Sequence, residues 1–170
     1  MAVVVGILGL AAVLRRVSPG DRRRIGRTAA IGAAAGLLAT IAYDASRTFL
    51  SYLDPSPYNP FEAVRVFGVL LAGERAPAAL IYAAGLAFHF TNGTAFGVAF
   101  GLLLGARGAL AGVAWGLGLE LFQLTLYPGW LDIRAYREFV QISAAGHLIY
   151  GAVLGTTTRR WLMSRRGVEA

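Results

Sequence analysis

Apolar residues run almost unbroken through four stretches of the chain, at about 28–50, 77–105, 108–127 and 138–157. Crossing a hydrocarbon core of roughly 30 Å takes about 20 predominantly apolar residues in helical conformation, so these stretches predict four transmembrane helices. A fifth, at 2–14, covers about 20 Å at helical rise. It predicts a short N-terminal span or an interfacial anchor. A cleaved signal peptide is disfavoured, because the arginines follow this apolar stretch instead of preceding it. Between the first two spans, Asn59-Pro60 reads as a helix cap followed by proline at the first helical position, with Glu62 close behind. Phe61, Val64, Gly68 and Leu71 then share one face, opposite Glu62 and Arg65. This predicts an amphipathic helix over 60–73 lying on the outer surface, with a lid on the bundle or a simple connector as the alternatives.

Within the spans, small residues recur every four positions. The first carries Gly32, Gly36, Thr40 and Asp44; the second His89, Gly93, Gly97, Gly101 and Gly105. The third carries Gly108, Gly112, Gly116 and Glu120, and the fourth His147, Gly151 and Gly155. Residues four apart share a helix face, and small residues at that spacing let helix backbones approach closely in lipid. Each ridge therefore predicts a buried contact face, and each ridge includes one ionisable residue. Gly32, Gly36 and Asp44 map onto Gly108, Gly112 and Glu120 with an offset of 76. His89, Gly93 and Gly97 map onto His147, Gly151 and Gly155 with an offset of 58. The expectation is an all-α polytopic membrane helical bundle whose four core helices form a tandem repeat of two hairpins. Its organisation reads as an N-terminal helix and Arg-rich cytoplasmic loop (1–27), a first hairpin with the outer helix (28–105), a second hairpin (106–158) and a basic cytoplasmic tail (159–170).

Composition agrees with lipid as solvent. The 170 residues are 56% hydrophobic and 15% charged, with a mean hydropathy of +0.59, whereas soluble domains carry roughly 25% charged residues. The net charge of +7 comes entirely from arginine, since the chain has no lysine. Eleven of the 16 arginines fall at 15–27, at 107 and at 159–166, on one side of the four-span arrangement. The positive-inside rule makes that side cytoplasmic and predicts a multi-pass protein of a bacterial or archaeal inner membrane with its C-terminus inside. Arginines at the ends of apolar runs mark membrane topology, so nucleic acid is not the expected partner. The bilayer is, with a second copy or a larger membrane complex as further candidates. Without cysteine or lysine there are no thiolate metal sites, no Cys nucleophile and no lysine Schiff base.

The chemistry rests on four groups. The outward-running first and third spans carry Asp44 and Glu120, and the inward-running second and fourth carry His89 and His147, which places all four in the outer half of the membrane. Charged groups there pair, face a cavity or serve a function. Asp44 has Thr40 and Arg47 within one turn, His89 has Asn92, and Glu120 has Gln123. Two histidines with one or two carboxylates suit Fe, Zn or Mn. Alternatively, His89 and His147 alone would ligate a haem-type cofactor from opposite sides, with Gly85 and Ser143, four residues before each histidine, leaving room for a macrocycle. Binding of a metal ion or haem-type cofactor is the first expectation. A small proton- or ion-coupled transporter and a non-catalytic structural or assembly subunit are the alternatives, and no reaction is assigned.

Two short stretches resemble membrane proteases. Asn92-Gly93-Thr94-Ala95-Phe96-Gly97 is similar to a segment of the lipoprotein signal peptidases, and Ala145-Gly146-His147 to the histidine helix of rhomboid proteases. The two aspartate motifs of the first family and the Gly-x-Ser-Gly nucleophile of the second have no counterpart in the chain, so neither resemblance implies catalysis.

Overall fold

The structure is a computed structural model that describes residue 12 and residues 18–54, 59–126 and 136–164. The predicted short helix at 2–14 falls outside the described residues, apart from the isolated helical position 12. Of the described residues, 92% are helical and none is in a strand. The helices are α1 (Pro19–Leu53), α2 (Glu62–Ala72), α3 (Ala78–Leu104), α4 (Ala109–Leu126) and α5 (Tyr136–Ser164), with a short 3₁₀ turn, Gly105–Arg107, between α3 and α4. Two helices, Pro19–Leu53 and Ala78–Arg107, are long and apolar enough to cross a membrane, and Ala109–Thr125 is a shorter apolar one.

α1 begins nine residues before the predicted span. Residues 19–27, expected as an Arg-rich loop, are helical because Ser18 caps them: its Oγ accepts from the Asp21 amide at 3.2 Å, and Pro19 follows in the first turn. Arginine is itself a strong helix former. At the other end, α5 continues through Ser164, so the first residues of the expected basic tail belong to a helix as well.

The glycine ridges are the seams of the bundle. A Cβ built on Gly36 would fall within 3 Å of Gly93 O and Gly97 Cα, joining α1 to α3. One built on Gly112 would overlap Gly151 O and come within 3 Å of Gly155 Cα, joining α4 to α5 in the corresponding way. α1 also packs along α5, whereas α3 and α4 hardly touch beyond their connecting turn. Gly108 closes that turn at φ +78°, a conformation that favours glycine. The core between the seams holds Ala35, Ala39, Tyr43, Phe100, Tyr150 and Leu154.

α2 forms close to its expected bounds and stands antiparallel beside α3. A Cβ on Gly68 would overlap Ile81 O, and one on Gly85 would overlap Val64 O. Phe67 stacks on Phe88 at 4.7 Å between ring centroids. Val64 and Gly68 of the predicted face are buried, but Leu71 remains 59% exposed. The helix starts at Glu62 with Phe61 at its cap, two residues later than expected, while Asn59, read as the cap, accepts with Oδ1 from the Phe61 amide at 2.9 Å.

Because the seams are backbone against backbone, a larger side chain in them forces the helices apart, at about 1–3 kcal/mol per site. Gly36→Val and Gly112→Val are expected to lower stability by that amount in detergent unfolding. Gly118→Ala, with nothing within 4 Å of its Cβ position, is expected to be neutral or stabilising.

Candidate functional site

The four predicted ionisable groups assemble as two pairs. Asp44 on α1 meets His89 on α3, with both carboxylate oxygens 3.0 Å from Nε2. Glu120 on α4 meets His147 on α5, with Oε2 2.8 Å from Nδ1. Each pair bridges the two helices of one glycine seam, so the close backbone approach brings each acid to its imidazole. The first pair is half-buried. The second is buried, with Glu120 4% and His147 8% exposed.

A single metal centre built from all four does not form. Among the described residues no three His, Asp or Glu side chains gather around a point where a metal ion could sit. The reason is lateral. Tyr43 occupies the space between the two imidazoles, its ring centroid 6.0 Å from that of His89 and 4.8 Å from that of His147. The residues share a level along the bundle, but Tyr43 parts the pairs across it. The sequence signal for Tyr43 was its place beside Asp44 on the ridge side of the helix.

The supporting residues also have different partners from those expected. Asp44 takes His89 rather than Arg47 as its ion-pair partner. Arg47 is buried, lies over the Tyr43 ring at 4.7 Å and donates to the carbonyl of Pro60. Thr40 donates to Gly36 O at 2.8 Å, and its side chain fills the space above Gly93. Gln123 reaches Glu120 through Ser143: Gln123 Nε2 donates to Ser143 Oγ at 3.0 Å, and Ser143 Oγ donates to Glu120 Oε2 at 2.8 Å. The macrocycle space expected at Gly85 and Ser143 is taken, by the Val64 backbone at the first and by this hydrogen-bonded network at the second. Tyr150 is a further polar residue of the site, donating to Gly93 O at 3.0 Å. A hydroxyl one turn beyond His147 on an apolar helix needs such a partner.

Hydrogen bonding fixes how each ring presents itself. His147 Nδ1 faces two acceptors, Glu120 Oε2 and the Ser143 carbonyl at 3.0 Å, so in the neutral ring it carries the proton and Nε2 carries the lone pair. In His89 the roles are exchanged: Nε2–H is shared by the Asp44 oxygens, and Nδ1 is left with the lone pair. Two-sided haem ligation through both Nε2 atoms is therefore not what this arrangement offers, since Asp44 holds one of them. Glu120 Oε1 is buried with no hydrogen-bond partner among the described residues.

Both imidazoles line one cavity of about 550 Å³. α1 supplies Thr40, Tyr43 and Arg47 to its wall, and α5 supplies His147 and Tyr150. Phe88, His89, Asn92 and Phe96 come from α3, and Leu119, Phe122 and Gln123 from α4. Ala63, Val64 and Phe67 of α2 cover one end. The volume is within the range of small-molecule sites, which are mostly apolar with a few convergent polar groups.

Compared with known protein families, curated proteins and solved structures, the chain has no match.

The two pairs differ in burial, and their strengths should follow. A side-chain hydrogen bond within a protein contributes about 0.5–1.5 kcal/mol net. A double-mutant cycle with Glu120→Gln and His147→Ala is expected near the upper end of that range, and one with Asp44→Asn and His89→Ala near the lower end. Equal coupling energies, measured by unfolding in detergent micelles, would contradict the assignment.

Proposed function

We propose that this chain is an integral membrane protein of four spans, α1, α3, α4 and α5, that binds a bilayer-dissolved molecule with an apolar body and a polar end in the cavity between two repeated hairpins. The observation that carries this reading is the composition of the cavity wall. With the offsets of 76 and 58, Tyr43 corresponds to Leu119, Arg47 to Gln123, His89 to His147 and Asn92 to Tyr150, and all eight line the same cavity. The interface between the repeats of a membrane protein is where many transporters hold their ligands. The matching contacts of Gly36 and Gly112 with the glycines of α3 and α5 support the same repeat.

The arginine distribution supports a multi-pass protein of the inner membrane with its C-terminus in the cytoplasm. The bilayer is its first partner, and a second copy or a larger complex would meet the exposed leucines of the outer surface. In the cavity the two imidazoles, each oriented by a carboxylate, offer a lone pair or an N–H to the polar end of the ligand and can exchange a proton with it. A bare Fe, Zn or Mn ion is the weaker version of the reading, because the ligands stand as pairs. A haem-type cofactor is the second reading, carried by His147: its Nδ1 is anchored and its Nε2 is left as a single axial ligand. Proton- or ion-coupled transport would need a path through the inner half, where the glycine seams bring backbones into contact.

The test is to purify the protein in mild detergent, record its visible spectrum and analyse an organic extract by mass spectrometry. A lipid-soluble molecule at about one per chain is expected, falling at least ten-fold in His147→Leu while the helical content is kept. A Soret band would select the haem version. A folded protein with an empty extract and no visible absorbance would overturn the binding reading and leave a structural subunit.

A further inference from the structure

In a bundle of two related hairpins, the seam between α1 and α5 and the seam between α3 and α4 are counterparts. One is shut and the other is open. α5 closes on α1 through Gly146, where a Cβ would fall within 3 Å of the Tyr43 and Arg47 side chains. The corresponding residue of α3, 58 positions earlier, is Phe88. It shares the cavity wall with Leu119 and Gln123, the counterparts of Tyr43 and Arg47. At that position Phe88 carries a phenyl ring, packed on Phe67 of α2, where the other seam has a hydrogen atom, and α3 and α4 hardly touch beyond their turn. The gap has ends. Towards the joining turn it is bridged by Phe100 and Trp115, their rings 6.1 Å apart. At the other end, α2 is locked onto α3 by Gly68 and Gly85 and covers the cavity with Val64 and Phe67. Among the described residues, the side left is the gap itself. Its lining residue Phe122 is 55% exposed and the adjacent Leu121 64%, so the cavity wall continues onto the apolar outer surface.

We propose that this gap is a lateral portal to the bilayer and that its occupant is an anionic phospholipid, whose phosphate sits at Arg47 and whose acyl chain leaves between α3 and α4. The inference rests on the binding reading above and names the class of ligand. Charge selects the head: Arg47, whose guanidinium lies over Tyr43 and donates to the Pro60 carbonyl, is the arginine of the cavity wall, and its positive charge attracts a phosphate. Asn92 and Gln123 line the same cavity, the second with its amide already donating to Ser143 Oγ. Shape selects the tail, because Phe96, Leu119 and Phe122 offer an apolar passage that a free phosphate would not use. The same cation at the water-exposed surface would bind head groups weakly and be screened by salt. Enclosed in the cavity, it discriminates between them.

The experiment is native mass spectrometry of the full chain released from vesicles of equal parts dioleoylphosphatidylglycerol and dioleoylphosphatidylcholine. One phosphatidylglycerol retained at least ten-fold over phosphatidylcholine is expected. Arg47→Gln, which removes the cation, and Leu119→Trp, which plugs the passage, are each expected to reduce that preference at least ten-fold. Arg23→Gln, on the exposed stem of α1, is expected to leave it unchanged. Circular dichroism reports whether each variant folds; if Arg47→Gln does not, Leu119→Trp alone decides. Equal retention of the two lipids, a preference that survives the plug, or one lost with Arg23→Gln overturns the proposal. A different stoichiometric molecule in the extract overturns the phospholipid and leaves the binding reading standing, whereas an empty extract overturns both.

Discussion

Everything in this bundle follows from how closely two helical backbones can approach. On the four-span reading the helices pack in lipid, where there is little hydrophobic gain in bringing them together, so packing and hydrogen bonds must do it. Gly32, Gly36, Gly93 and Gly97 in one seam, and Gly112, Gly116, Gly151 and Gly155 in the other, leave backbone atoms against backbone atoms. That spacing sets the positions of the acids and imidazoles, because a short carboxylate such as Asp44 reaches a neighbouring helix only across a glycine seam. The polar pairs are consequences of the seams before they are anything else.

The pairs in turn set the character of the cavity. A carboxylate beside an imidazole fixes which ring nitrogen holds the proton, and the two pairs fix opposite nitrogens, Nε2 in His89 and Nδ1 in His147. The wall is therefore chemically unequal even where the helices correspond. On one side the ring is half-buried beside Asp44. On the other it is sealed in with Glu120, Ser143 and Gln123, and Glu120 keeps one buried oxygen bare among the described residues. Tyr43 separates the two and touches both rings.

Much of this was legible in the chain because helices report their contact faces through period. The four apolar stretches became α1, α3, α4 and α5 with boundaries shifted by a few residues, except at Pro19, where a Ser18 cap extended α1, and at Ser164, seven residues past the expected end. The ridges were correctly read as contact faces, and both acids found histidines. The error over the metal quartet has a definite origin. Periodicity and helix direction give the level of Asp44, His89, Glu120 and His147 along the bundle, but nothing about their separation across it, and Tyr43 stands in that separation. The packing of α2 was illegible for a similar reason. Its apolar face was visible, but Gly68 and Gly85 are partners only once α2 turns back along α3, and that turn is not encoded in either helix alone. Ser143 looked like empty space because a small side chain and a hydrogen-bonding one are the same residue.

The length of α1 has a consequence for how the molecule sits. Its 35 residues extend about 52 Å at helical rise, well beyond the roughly 30 Å of a hydrocarbon core. The surplus is the stem at 19–27, with Arg22, Arg23, Arg24 and Arg27 around it. On the four-span reading these side chains form a collar that stops the rod from sliding inward, since sinking by one turn would drag guanidinium groups into oil. The collar works as a depth gauge. The rod carries Tyr43, Asp44 and Arg47 at a constant distance from it, so the chamber is held at one height in membranes of different thickness.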